Sequence, residues 1–312
     1  MHVLITGGAG FIGSHIADRL LARGDSVTVI DNYATGRRDN LAPHPRLTVV
    51  EGSIADRPLV REAFSAKPDL VIHAAASYKD PENWQEDAST NAVGSAVITQ
   101  EAKAAGARRL IYFQTALCYG IRPLEQPITL SHPILPGDSS YAISKTAGEY
   151  YIALSGMDYV SFRLANAYGP RNLSGPLPTF FHRLTTGKPC FVMDTRRDFI
   201  YVEDLVDCVM GAVDGRGERG AYHISSGSDY SIKELFDATL AALSITLERD
   251  VEVRPRGADD AYTILLDPSK TERDFGWRVS TPLVRGVAAA IDYYRKFGIT
   301  QTFTHLKAAP EK

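Results

Sequence analysis

Thr6-Gly7-Gly8-Ala9-Gly10-Phe11-Ile12-Gly13 is the stretch whose reading decides the fold. Before it stands Val3-Leu4-Ile5, an apolar run suited to a buried parallel strand, and after it residues 14–21 carry apolar side chains at helical spacing. In a strand–turn–helix of this kind Gly7 permits the tight turn, Gly10 lets backbone approach a pyrophosphate, and Gly13 lets the helix lie close on its strand. Phe11 and Ile12 fall at the helix start, where unpaired N–H groups and the positive dipole end suit phosphate. Two registers fit, Gly8-x-Gly10-x-x-Gly13 and Gly7-x-x-Gly10-x-x-Gly13, so the glycines alone leave the subtype open. Eighteen residues past Gly13, Asp31 closes a second apolar run, Ser26-Val27-Thr28-Val29-Ile30, and Asn32 follows it. A carboxylate there can bond both hydroxyls of an adenosine ribose and repels a 2′-phosphate, which selects NAD over NADP. Arg37 and Arg38 stand nearby and read most simply as a solvated loop face.

Outward from this stretch, strand and helix signals alternate. Strands are expected at 47–51, 69–73, 109–113 and 159–163, with helices at 59–66, from about 92 to 105, and from Tyr141 onward. That succession predicts an α/β fold, a doubly wound parallel sheet with helices on both faces and ligands beyond the carboxyl ends of its strands. His73, Thr115 and Asn166 fall at or just past such ends. After Asn166 the segment 169–178 is turn-rich and polar, which suggests a domain crossing. Residues 199–213 and 222–225 are expected to return to the main sheet. The expected division is a dinucleotide-binding Rossmann domain, 1–166 with about 197–226, and a smaller discontinuous substrate domain, 167–196 with 227–304. Only the tail past Thr304 reads as loosely ordered.

Composition narrows the function classes. A length of 312 residues suits two domains or one elaborated one, and a formal charge of −3 with no strongly basic run argues against a nucleic-acid surface. No stretch approaches the roughly 18 apolar residues of a membrane span, and the N-terminal apolar run lacks the basic flank of a secretory signal. Cys118, Cys190 and Cys208 are odd in number and widely spaced, fitting neither a disulfide framework nor a metal site. A cytoplasmic setting, no metal and no membrane insertion are therefore expected.

A second constellation supplies acid–base chemistry. Tyr141 and Lys145 are four residues apart and share a helix face. A phenol of pKa near 10 is a poor base, but a neighbouring ammonium and a positive nicotinamide ring favour the phenolate. Tyr141 can then take a proton from a hydroxyl whose carbon gives up hydride, while the Thr115 hydroxyl holds the same oxygen.

Taken together, these residues resemble the extended short-chain dehydrogenase/reductase family, specifically its nucleotide-sugar epimerases and dehydratases. The resemblance covers nearly the whole chain. Beyond the glycine stretch and the Tyr141-Ala142-Ile143-Ser144-Lys145 segment it includes His73-Ala74-Ala75-Ala76, Phe162-Arg163-Leu164-Ala165-Asn166-Ala167-Tyr168-Gly169-Pro170 and Arg197-Asp198-Phe199-Ile200-Tyr201-Val202-Glu203-Asp204. It implies NAD as cofactor, with Ala74 beneath it, and Thr115, Tyr141 and Lys145 as the catalytic residues. Asn166, Arg197 and Arg256 become candidates for the substrate diphosphate, Arg256 only with a one-residue shift from the family pattern. Phe191 could pack on the base or belong to a core. Lys79 is a candidate substrate contact; with Arg171, His182 and Arg196 it is among the basic residues able to meet a uronic carboxylate, each also readable as a solvated loop position. His73 reads as structural or cofactor-edge, and Trp84 as packing.

The resemblance also bears on the reaction. Dehydratases of this family place an Asp-Glu pair directly after the catalytic hydroxyl residue, whereas this chain has Ala116 and Leu117. Related decarboxylases tend to carry an acid there too. What remains is epimerisation at C4 of a nucleotide-diphosphate sugar (UDP-hexose, UDP-hexuronic acid or UDP-N-acetylhexosamine) through a 4-keto intermediate. A dehydratase, reductase or dehydrogenase of the same family is the alternative, and a cofactor-binding sensor is the rival from another class. Gln114 and Cys118 depart from the family's more Ser-rich window. A homodimer is implied through the helices that begin near Asn91 and Tyr141.

Overall fold

A computed structural model describes residues 1–78, 80–137, 139–257, 260–299 and 302. In chain order the elements are β1 (His2–Thr6), α1 (Phe11–Arg23), β2 (Ser26–Asp31), β3 (Leu47–Glu51), α2 (Arg57–Phe64), β4 (Leu70–His73), α3 (Trp84–Asp87), α4 (Ser95–Ala105), β5 (Arg109–Thr115), α5 (Ser140–Leu154) and β6 (Tyr159–Leu164). There follow β7 (Asn166–Tyr168), α6 (Pro176–Thr185), β8 (Phe191–Met193), β9 (Arg196–Arg197), β10 (Phe199–Tyr201), α7 (Val202–Val213) and β11 (Gly220–Ile224). Last come β12 (Tyr230–Ser231), α8 (Ile232–Leu243), β13 (Glu252–Arg254), α9 (Ser269–Phe275) and α10 (Leu283–Phe297).

Seven strands form one parallel sheet in the order β11-β6-β5-β4-β1-β2-β3. The order reverses between β1 and β4, and the crevice at such a switch point is where ligands bind in this architecture. The central strands are apolar throughout because helices cover both faces; Val3, Leu4, Ile5, Leu70, Val71 and Ile72 are all fully buried. Edge strand β3 instead mixes half-buried and exposed residues, with none fully buried. Two apolar clusters occupy the two sides of this sheet, and a third gathers Phe180, Phe181, Leu235, Phe236, Val287 and Ile291 from α6, α8 and α10.

The alternation predicted from sequence is present, with instructive differences. The stretch before α4 is π-helical over Ala88–Gly94, so the helix expected from residue 92 begins earlier and is wound wider there. Residues 220–224 join the main sheet as expected, but Phe199–Tyr201 does not. It pairs in parallel with Asn166–Tyr168, in a separate two-stranded sheet. An apolar run of three residues specifies burial but not its partner, and here the partner is β7, which the sequence reading missed. The expected loose tail lies outside the described residues.

Candidate active site

The glycine turn is built as its spacing requires. Gly7 has φ +69°, the left-handed region that favours glycine, and a Cβ on Gly13 would lie 2.3 Å from the Gly7 carbonyl oxygen. The cap position of α1, Gly10, supplies no side-chain hydrogen bond, so the first turn offers its backbone N–H groups to a ligand. At the end of β2 the Asp31 carboxylate accepts the Ala9 N–H at 2.9 Å and the Tyr33 N–H at 2.8 Å. Burial raises its pKa, and these two bonds oppose that rise. Asn32 caps the following turn by accepting the Ala34 N–H at 3.0 Å. Arg37 and Arg38 are paired with Asp39 and Glu51, leaving their charges compensated rather than aimed at a 2′-phosphate.

Beside the turn, Ala74 donates its N–H to the Thr6 carbonyl at 3.1 Å. His73 is fully buried, with Nδ1 at 2.7 Å from the Thr6 hydroxyl and Nε2 at 2.8 Å from that of Ser95. Burial, with Lys145 nearby, pushes its pKa down to about 3, so it is a neutral structural link between β1, β4 and α4. Asn91, on the π-helical stretch, accepts the Ser77 N–H and donates to the Ser77 carbonyl and the Ser144 hydroxyl. The wider π turn therefore ties the loop after β4 to α5, an arrangement that a 3.6-residue periodicity does not reveal.

Helix α5 starts at its Ser139 cap and carries Tyr141 and Lys145 on the cleft wall. Thr115 ends β5; its hydroxyl oxygen accepts the Leu117 N–H at 3.2 Å, leaving the O–H free to donate to a ligand oxygen. Burial draws the Lys145 pKa down to about 7, partly opposed by Glu149 one turn along. The Tyr141 phenol is pushed up, first by burial and then by Tyr78 and Asp87. Among protein groups alone burial is the larger influence on the phenol; the phenolate expected from sequence draws on Lys145 together with a positive nicotinamide ring.

The glycine turn, Asp31, Asn32, Ala74, Thr115, Tyr141 and Lys145 face one continuous cleft of about 1760 Å³. That exceeds the roughly 300–1,000 Å³ of a single small-ligand pocket, leaving room for more than one ligand. Of the anticipated substrate contacts, Asn166 and Arg197 line it. Asn166 donates to the Asp198 carbonyl, and Arg197 is held at 2.6 Å by the Asp260 carboxylate. Arg256 does not line it; it is exposed and donates to the Asp260 carbonyl, while Arg254 faces the cleft with its guanidinium 3.8 Å from the centroid of Phe191. Pairing with β8 places Arg254 opposite Met193 at the end of β13, whereas Arg256 lies past the strand's last residue and turns to the Asp260 carbonyl instead. Arg171 lines the cleft and pairs with Asp18; Arg196 pairs with Asp229, and His182 lies outside the lining. Trp84 is 67% exposed rather than packed. Lys79 lies outside the described residues.

Sequence reasoning passed over Asp198, which accepts from the Ser225 and Ser226 hydroxyls and anchors the strand carrying Arg197. Its burial lifts its pKa to about 6. His15 was equally silent, yet it joins α1 to Glu203 and to the Pro170 carbonyl. Among the described residues no group of three or more His, Cys, Asp or Glu could hold a metal ion, and no helix is long and apolar enough to cross a membrane. The three cysteines are free.

Comparison with known proteins agrees with this geometry. The model of the NAD dependent epimerase/dehydratase family matches residues 3–225. This chain belongs to that family. Among solved structures, it is similar to the Bordetella bronchiseptica enzyme WbmH in complex with NAD+, with 56% identity, a TM-score of 0.93, and coverage of 96% of this chain and 99% of that one. The WbmG enzyme of the same organism, in complex with NAD and UDP, is 45% identical with a TM-score of 0.91, covering 98% and 99%. A UDP-glucose 4-epimerase of Mycolicibacterium smegmatis is 30% identical over 314 residues, 95% of this chain and 99% of its own.

Proposed function

We propose that this protein is an NAD-dependent 4-epimerase of a UDP-sugar. NAD fits the chain's own residues: the uncapped start of α1 for its pyrophosphate, Asp31 and Asn32 for its adenosine ribose, and Ala74, Tyr141 and Lys145 around its nicotinamide. When bound, NAD supplies a two-electron acceptor that takes hydride from a sugar carbon and returns it. Tyr141 removes the proton from the C4 hydroxyl and later restores it, and Thr115 holds the same oxygen through its free O–H. Lys145 contributes positive charge beside the phenol. Asn166, Arg197 and Arg254 suit the nucleotide diphosphate, arginine because its planar fork makes paired, charge-assisted bonds.

The observation that carries 4-epimerisation over dehydration is the pair that follows Thr115. Ala116 and Leu117 open a 3₁₀ turn and offer no group able to carry a proton. The carboxylates of Glu86 and Asp87, on α3, accept hydrogen bonds from Thr90 and Ser77. A ketone formed at C4 then has no acid–base partner after Thr115 for elimination, and turning it over before hydride returns inverts the centre. The proposed organisation is a Rossmann unit of residues 1–166 with about 197–226, and a substrate unit of 167–196 with 227–304. We further propose a homodimer through α4 and α5, where Tyr150, Tyr151 and Leu154 are exposed and enclose a small apolar pocket with Ala147.

The test is incubation with UDP-glucose, UDP-glucuronic acid and their N-acetyl counterparts without added NADH, followed by NMR at C4. A galacto-configured product of unchanged mass supports the reading and names the sugar. A product lighter by water or carbon dioxide overturns it.

A further inference from the structure

The three groups that must meet one substrate oxygen come from two elements: Tyr141 and Lys145 from α5, Thr115 from the end of β5. Something must hold those elements in register at the point of chemistry. Gln114 occupies that junction, and it stands in the window where the resembled family is more usually Ser-rich. Its Oε1 accepts the Thr115 N–H at 2.8 Å, and its Nε2 donates to Glu149 at 3.2 Å. Glu149 lies four residues beyond Lys145 and eight beyond Tyr141, on the same stripe of α5. Gln114 is 2% exposed and Glu149 4%.

The charge in this junction is balanced within it. Gln114 pairs in register with Arg163 of β6, so both side chains leave the sheet on one face, beneath α5. Arg163 reaches Glu149 at 3.2 Å and the Tyr119 hydroxyl at 2.8 Å, and that hydroxyl lies 2.6 Å from Nε2 of His223. A buried carboxylate is tolerated because this guanidinium meets it, and the neutral amide between Glu149 and Thr115 donates to one and accepts from the other. A serine side chain is too short to span that gap.

We propose that Gln114 is a positioning residue, its amide clamping the Thr115 backbone to Glu149 and so setting the Thr115 hydroxyl against Tyr141 and Lys145. The inference rests on the proposed 4-epimerase reading. A displacement of about 1 Å at a reacting group is enough to cost about 100-fold in rate.

The experiment compares Gln114→Met, Gln114→Glu and the exchange Gln114→Glu/Glu149→Gln with wild type, on whichever of the four UDP-sugars above the wild type converts. Folding is checked by near-UV circular dichroism. Gln114→Met keeps the volume and loses both bonds. Gln114→Glu sets two carboxylates against each other. The exchange restores one carboxylate and one amide, with Arg163 held opposite position 114 in the strand register and on the side chain of position 149. Expected are a kcat about 10- to 100-fold lower for both single variants, KM and NAD affinity within about threefold of wild type, and recovery of at least about tenfold in the exchange. A purely structural role would instead lower stability without splitting kcat from KM or being rescued by the exchange. The proposal is overturned if kcat of a folded Gln114→Met stays within about threefold of wild type, or if the exchange is no better than Gln114→Glu. Should Gln114→Met fail to fold, the isosteric pair decides. A wild type inert on all four sugars removes the functional reading and this one with it, whereas an active wild type with indifferent variants removes this one alone.

Discussion

Lys145 stands where function and stability oppose each other, and Lys145→Met separates them. The side chain is 2% exposed, with Nζ 4.1 Å from the centroid of the Tyr112 ring. Burial lowers its pKa from 10.5 to about 7 despite Glu149. At about 1.4 kcal/mol per pH unit, that gap bounds the cost of folding around the ammonium at on the order of 5 kcal/mol. The unfolded chain keeps this proton up to about pH 10.5, and the folded chain releases it above about 7. Between those values the unfolded state binds more protons, so stability rises with pH; below about 7 the whole cost is present. Methionine removes the cost but also the contact of the cation with the Tyr112 ring, which contributes about 0.5–2 kcal/mol. Urea titration of NAD-free protein should therefore find Lys145→Met more stable at pH 6 by about 3–4 kcal/mol at most, with the gain shrinking at pH 7.5 and again at pH 9. The same variant should lose turnover by at least about 100-fold. A variant less stable than wild type at pH 6, or a gain that does not change with pH, would refute the argument.

Other outcomes follow from the same geometry. Gly13→Ala places a Cβ 2.3 Å from the Gly7 oxygen and 2.8 Å from the Gly8 Cα. Because only backbone is there to yield, the start of α1 must move by about 1 Å, and NAD affinity measured by calorimetry should fall at least about 30-fold; a Kd within threefold of wild type would contradict this. Arg254→Ala should raise KM for the UDP-sugar about tenfold or more, and Arg256→Ala by less than about twofold, since only the former lines the cleft; the reverse order in steady-state kinetics would return the role to Arg256. Leu154 is 81% exposed at the end of α5. A charge there should convert the proposed dimer to monomer in light scattering, and a wild type already monomeric at micromolar concentration would dismiss the interface.

The sequence by itself determined the parallel sheet, the glycine turn with Asp31, and the helix that carries Tyr141 and Lys145. Each is written in local signals: apolar runs bounded by turns, a glycine whose φ no other residue holds well, and a four-residue spacing on one helix. Only the tertiary structure decided what depends on which strand lies beside which. Phe199–Tyr201 found Asn166–Tyr168 instead of the main sheet, because a short apolar strand carries no address for its partner. Arg254 rather than Arg256 reached the cleft, because pairing with β8 holds Arg254 in β13 while Arg256 falls past the strand's end. The rise of the Tyr141 pKa and the fall of that of Lys145 come from burial by segments distant in the chain, which no spacing reports. Gln114, Glu149 and Arg163, from β5, α5 and β6, become one hydrogen-bonded unit only when those elements pack, since a buried charge is settled by neighbours that folding alone brings together.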